Sequence, residues 1–143
     1  MPGEIESVEL QFPIEFVVPG VPLSLQASAQ SRERWRERIR AVARAVLPDF
    51  YFAAEAPIKV TIYYFPDAPM DGDIDNIVKP VLDSLSRFVY VDDNQVERIW
   101  VQKFEPGRLF IFRDPSPSLA AAIEMEGPRV YLHIDLSEVG EVP

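Results

Sequence analysis

The sequence predicts an α+β fold, one mixed β-sheet packed with helices, formed by residues 1–143 as a single domain. Three observations carry that reading. Residues 58–65 alternate, with Ile58, Val60, Ile62 and Tyr64 on one side and Lys59, Thr61, Tyr63 and Phe65 on the other, the period of a half-buried strand. Residues 28–47 instead repeat apolar side chains at helical spacing, in the stripe Trp35, Ile39, Val42 and Val46. No repeat, low-complexity tract or long linker divides the chain, and 48% of its 143 residues are hydrophobic, enough for one core.

The other elements follow in order. Residues 14–18 read as a strand, and a loop rich in Pro, Gly, Ser and Gln leads to the helix of 28–47. After the strand of 58–65 come acidic residues and an apolar periodic run, Ile77, Val78, Val81, Leu82 and Leu85, which predicts a helix over about 76–87 with Asp75 as N-cap. Pro80 would fall in its fifth position and cost a hydrogen bond unless the first turn is irregular. Residues 88–90 read as extended, and Asp92-Asp93-Asn94 is turn chemistry that folds Asp93 back toward Asp73 and Asp75. Glu105-Pro106-Gly107 joins strand-like 96–104 and 108–112 as a hairpin signal; a short helix over 118–125 precedes a last strand, 129–136. Trp100, Tyr63, Tyr64 and Phe65 are read as core, as aromatic strand residues usually are.

Composition narrows the function. There is no cysteine, which excludes disulfide frameworks and zinc-thiolate sites and suits a reducing cytoplasm. The acidic N-terminus MPGEIESVELQ lacks the apolar core of a signal peptide, and nothing approaches transmembrane length, so a cytoplasmic protein without membrane partners is expected. His133 is the one histidine; it alternates with Val130, Leu132 and Ile134 and falls on the other sheet face, a lone imidazole without a partner for acid/base work.

The window DGDIDNIVKPVLDSLSRFVYVDDNQV, residues 71–96, holds two carboxylate clusters, Asp71, Asp73 and Asp75, then Asp92 and Asp93, with Lys79 between them. Hard cations such as Mg²⁺ take carboxylate oxygens, usually one or two each, and keep positions open for a substrate phosphate. Either cluster alone is also ordinary cap or turn chemistry. An EF-hand would use Asp71, Asp73 and Asp75 as its first ligands, yet its obligatory Gly would be Asn76 and its closing Glu would be Leu82.

The order Asp73-x-Asp75-Asn76-x-x-Lys79-x-x-x-Asp83-x-Leu85, followed by Tyr90-x-Asp92-Asp93-x-Gln95-Val96, closely resembles the signature of the RusA family of Holliday-junction resolvases, small metal-dependent endonucleases. The resemblance is strongest over about 71–104. Pro19-Gly20-x-Pro22-x-Ser24-x-Gln26 is similar to the proline-rich start of many relatives, and 129–136 to the family's closing strand. It implies a RusA-like domain in which Asp73, Asp75 and Asp93 ligate Mg²⁺, with Mn²⁺ as substitute, and Lys79 contacts phosphate or the attacking water. Asn76, Asp83, Asp92 and Gln95 match the pattern around them, Asp92 as a further candidate for the metal and Asp83 as a group that orients Lys79. Residues 105–127 are longer than the matching connection in compact relatives and read as a candidate insertion.

Resemblance thus implies Mg²⁺-dependent cleavage of branched DNA. It also implies a homodimer, since a four-way junction has two-fold symmetry and two nicks need two related sites. Net charge argues the other way. A formal −9 and a pI near 4.6 are the wrong sign for binding phosphates, and the basic run that relatives carry before the Asp-x-Asp pair is here Pro66-Asp67-Ala68-Pro69-Met70. Six of the 14 basic residues, however, lie on the helix of 28–47 at Arg32, Arg34, Arg36, Arg38, Arg40 and Arg44. That helix reads either as a DNA-facing surface, with Arg36 and Arg40 beside Lys79 as DNA contacts, or as a solvated amphipathic helix whose Glu33 and Glu37 pair with Arg36 and Arg40. Two other function classes stay open: a non-catalytic metal- or protein-binding module, even a DNA mimic, and a nucleotide phosphohydrolase.

Overall fold

Alternation builds the centre of the molecule: Ile58, Val60, Ile62 and Tyr64 are all buried along one face of a strand that spans the predicted residues Ile58–Phe65. The computed structural model describes residues 6–22 and 27–138; Ser24 and Gln26 of the proline-rich motif and the first five residues of the acidic N-terminus lie outside the described residues. In chain order the elements are β1 (Val8–Glu9), β2 (Ile14–Pro19), α1 (Ala29–Arg44), β3 (Tyr51–Phe52), β4 (Ile58–Phe65), α2 (Val78–Leu85), β5 (Val96–Lys103), α3 (Pro117–Glu124) and β6 (Arg129–Leu136). Short 3₁₀ turns, Ile74–Ile77 and Asp93–Gln95, precede α2 and β5. This is the α+β architecture expected.

The main sheet runs β2-β6-β4-β5 and is mixed: β6 is antiparallel to both β2 and β4, while β4 and β5 are parallel. β1 and β3, too short to be foreseen, pair in parallel as a separate ribbon. One face of the main sheet packs against α1 and α2 in a single core joining Trp35, Ile39, Ile77, Val81 and Leu85 to Ile58, Val60 and Leu132. Each fully buried Ile or Leu there is worth about 1.5–3 kcal/mol relative to exposure. On the other face a smaller cluster gathers Phe65, Tyr131 and Ala122 with Tyr63, Phe104 and Phe112. Among the described residues no helix is long and apolar enough to cross a membrane.

Four expectations are corrected. The stripe of α1 is Trp35, Ile39, the partly buried Val42, Ala43 and then Leu47, not Val46, which is 50% exposed because the helix stops at Arg44 and a turn reorients the chain. Residues 108–112 form no paired strand. Phe112 turns inward onto Phe104 and Tyr63 while Leu109 and Ile111 face solvent, so the alternation is real but is held by aromatic packing rather than by a ladder. Of residues 88–90 only Tyr90 is strand-like, bridging to Ala54 and Ser86; residues 88–89 turn instead, because Arg87, at φ 61°, reverses the chain and its N–H donates to Tyr90 O. Trp100 is 59% exposed, not core, because β5 is the sheet's edge and Trp100 lies on the face opposite α1 and α2.

Candidate metal and phosphate site

Pro80 explains how the motif folds. An α-helix starting at 76 would leave Pro80 without the N–H its position must donate; here Ile74–Ile77 forms a 3₁₀ turn and α2 starts at Val78, so Pro80 lies in the first turn, where no donor is needed. Asp75 is therefore not an N-cap but a member of the 3₁₀ turn, and Asp73, at the cap position, makes no side-chain cap hydrogen bond. Both carboxylates are exposed and free of capping duty. Gly72, at φ 81°, turns the chain between Asp71 and Asp73 in the left-handed region glycine alone enters freely. α2 ends at Leu85, two residues early, at the Arg87 reversal.

That reversal brings the second cluster back. Lys79 Nζ lies 2.7 Å from Asp83 Oδ1, one turn along α2, and 3.4 Å from Asp93 Oδ2. The hydrogen bond to Asp83 chiefly raises the Lys79 pKa, with Asp93 adding to it, so the ammonium stays charged. Asp93 Oδ1 is buried and accepts no hydrogen bond of good geometry, although the Tyr90 hydroxyl stands beside this carboxylate. Asp73, with Asn76, lines a cleft of about 220 Å³ that also includes Pro22, Met70 and Ile77. A larger groove of about 540 Å³, lined by Leu10, Phe12, Phe52 and Leu136, contains none of the motif residues.

Gln95 and Asp92 hold the Asp93 turn. Gln95 Oε1 accepts from Asp92 N–H at 2.8 Å, and its amide nitrogen donates to Ala54 O at 2.7 Å and Ala56 O at 3.0 Å, fastening the turn to the loop before β4. Two residues outside the predicted set also serve the site. Tyr90, fully buried, donates from its hydroxyl to Leu82 O at 2.9 Å; burial, then the Asp93 and Asp83 charges and a hydrogen-bonding contact with Asp93, push its pKa upward. Glu105 accepts from Met70 N–H at 2.6 Å and so ties down the loop before Asp71. Tyr90 stands in the motif and was within reach of sequence reasoning; Glu105 sits beyond β5 and carries no local signal.

Arg36 and Arg40, the predicted DNA contacts, lie against α2 and are only 27% and 25% exposed. Arg36 pairs with Glu33 at 2.7 Å, and Arg40 approaches Glu33 and Glu37 at 3.7 and 3.8 Å, the pairing the sequence suggested.

The donor chemistry fits a hard divalent cation: aspartate oxygens, no thiolate, and in Asp93 Oδ1 a buried oxygen that lacks a well-aligned donor. Among the described residues no three acidic or histidine side chains come together as a cage. Asp73 and Asp75 are thus not brought together with Asp93 as one ready ligand set, although the sequence predicts that the turn folds Asp93 back toward them.

The family model described as Endodeoxyribonuclease RusA matches residues 26–112, more than half of the chain and all of the carboxylate window. No curated protein matches the chain closely enough to count as a relative. With the motif order, the mixed sheet and the match in agreement, the chain belongs to the RusA endodeoxyribonuclease family, the family of Holliday-junction resolvases that its carboxylate window resembles.

Proposed function

We propose that this endodeoxyribonuclease is Mg²⁺-dependent and nicks branched DNA, four-way junctions above all, as a cytoplasmic homodimer. The observation that carries the reading is the division of labour at Asp93: one oxygen meets the Lys79 ammonium while the other is buried without a well-aligned donor. Asp93, with Asp73 at the cap of the 3₁₀ turn and Asp75 within it, would hold the cation. When bound, such a cation lowers the pKa of a coordinated water and polarises a phosphoryl oxygen.

The chain's own residues do the rest. Lys79, 54% exposed at its side chain and kept charged by Asp83, faces solvent where a phosphate would lie and offsets charge that builds on phosphorus. Gln95 and Tyr90 hold the Asp93 turn and α2 in register. Two-fold symmetry of a four-way junction is matched by two copies of one site in a dimer.

The test is cleavage of a synthetic four-way junction with Mg²⁺ titrated in and then removed by chelator. Paired nicks that require the metal, and that greatly exceed those in linear duplex, are expected. Metal-independent nicking, equal cutting of linear duplex, or hydrolysis of free nucleotides alone would contradict the reading.

A further inference from the structure

Behind the site, α1 grips the last turn of α2. Arg40 donates from Nε to Ser84 O at 3.1 Å and from Nη2 to Asp83 O at 3.4 Å. Carbonyls in a helix's last turn lack partners in their own helix and form the negative end of its dipole, so a guanidinium fork is well matched to them. One turn earlier on α1, Arg36 Nη1 lies 3.9 Å from Asp83 Oδ2, while Asp83 Oδ1 accepts from Lys79 Nζ at 2.7 Å. One carboxylate is thus shared between an α1 arginine and the site lysine.

We propose that Arg40 and Arg36 are positioning residues: they fix the end of α2 and the Asp83 carboxylate so that Asp83 presents Lys79 toward Asp93. The proposal rests on the reading of Lys79 as the group that meets the scissile phosphate. A lysine side chain has a long flexible stem, and only a partner that is itself fixed can limit its rotamers. Asp83 gains that rigidity from α1. The same contacts reduce what either arginine can offer to DNA, because both are three-quarters covered and their remaining charge is taken up by Glu33 and Glu37.

Two readouts separate this role from a DNA contact, in Arg40→Ala and in the milder Arg40→Gln, which keeps part of the stem. First, the cleavage rate at saturating junction should fall by about tenfold or more, since a misplacement of about 1 Å can cost on the order of 100-fold, with junction Kd and its salt dependence unchanged. Second, the ¹⁵N signal of the Lys79 ammonium, expected to be sharp while the group is held by Asp83, should broaden to the extent expected for Asp83→Asn, with circular dichroism unaltered. A Lys79 signal that persists in both arginine variants would overturn the proposal, whether or not the protein cuts DNA. So would weaker binding with a salt slope flattened by about 0.9 per lost phosphate contact at an unchanged saturating rate, which would make α1 a DNA contact.

Discussion

Asp93 meets Lys79 through one carboxylate oxygen, 3.4 Å from Nζ, and keeps the other buried with no well-aligned donor. A buried carboxylate oxygen without a partner is costly, and a cation removes that cost. In Asp93→Asn the metal-free protein should therefore be as stable as wild type or slightly more so. Mg²⁺ at about ten times Kd should stabilise wild type by about 1.4 kcal/mol, a melting shift of about 4 °C, and Asp93→Asn should lose most of it. Thermal melts with and without Mg²⁺ check this, and equal shifts in both proteins would place the metal elsewhere.

Lys79→Met should lower the cleavage rate at saturating junction by about 100-fold or more while junction affinity changes by less than about threefold, because the ammonium matters most as charge develops on phosphorus. Single-turnover cleavage and binding titrations separate the two. Affinity that falls as far as the rate would reduce Lys79 to a phosphate anchor.

Gln95→Leu removes one acceptor from Asp92 N–H and one amide donor shared by two carbonyls, so it should cost about 2 kcal/mol in urea unfolding and slow cleavage by loosening the Asp93 turn. A cost below about 0.5 kcal/mol would show that the turn stands without it.

Glu15 ties β2 to α3 and β6 by accepting from the Ser116 and Tyr131 hydroxyls. Burial alone would raise its pKa, but those hydrogen bonds and the nearby His133 together bring it below the ordinary 4.5. A depressed carboxylate pKa stabilises the fold above the unfolded value and loses that contribution as pH falls through the folded value. Glu15→Gln should thus be less stable by about 1 kcal/mol at pH 7, with the gap narrowing below pH 4.5. Denaturant melts at pH 7 and pH 3 would detect a gap of constant size, which would refute the assignment.

Period and punctuation made much of this molecule readable in advance. β4 and β6 have their predicted bounds because alternating apolar residues between turn signals leave a strand few other registers. The carboxylate window was legible as a set, since motif order needs no coordinates. What stayed hidden was tertiary. Nothing local shows that Arg36 and Arg40 turn toward α2, that Glu105 reaches Met70, or that Phe112 packs on Phe104 without pairing as a strand. Trp100 is exposed for a reason equally invisible in the sequence: strand residues look alike whether their strand lies inside the sheet or at its edge.

Anomalous diffraction from a crystal soaked in Mn²⁺ locates the cation outright. A peak is expected about 2.1 Å from Asp93 Oδ1, with a carboxylate of Asp73 or Asp75 in the same coordination sphere and Lys79 alongside. A peak at other residues, or no peak on Asp93 at saturating Mn²⁺, would contradict the site assignment.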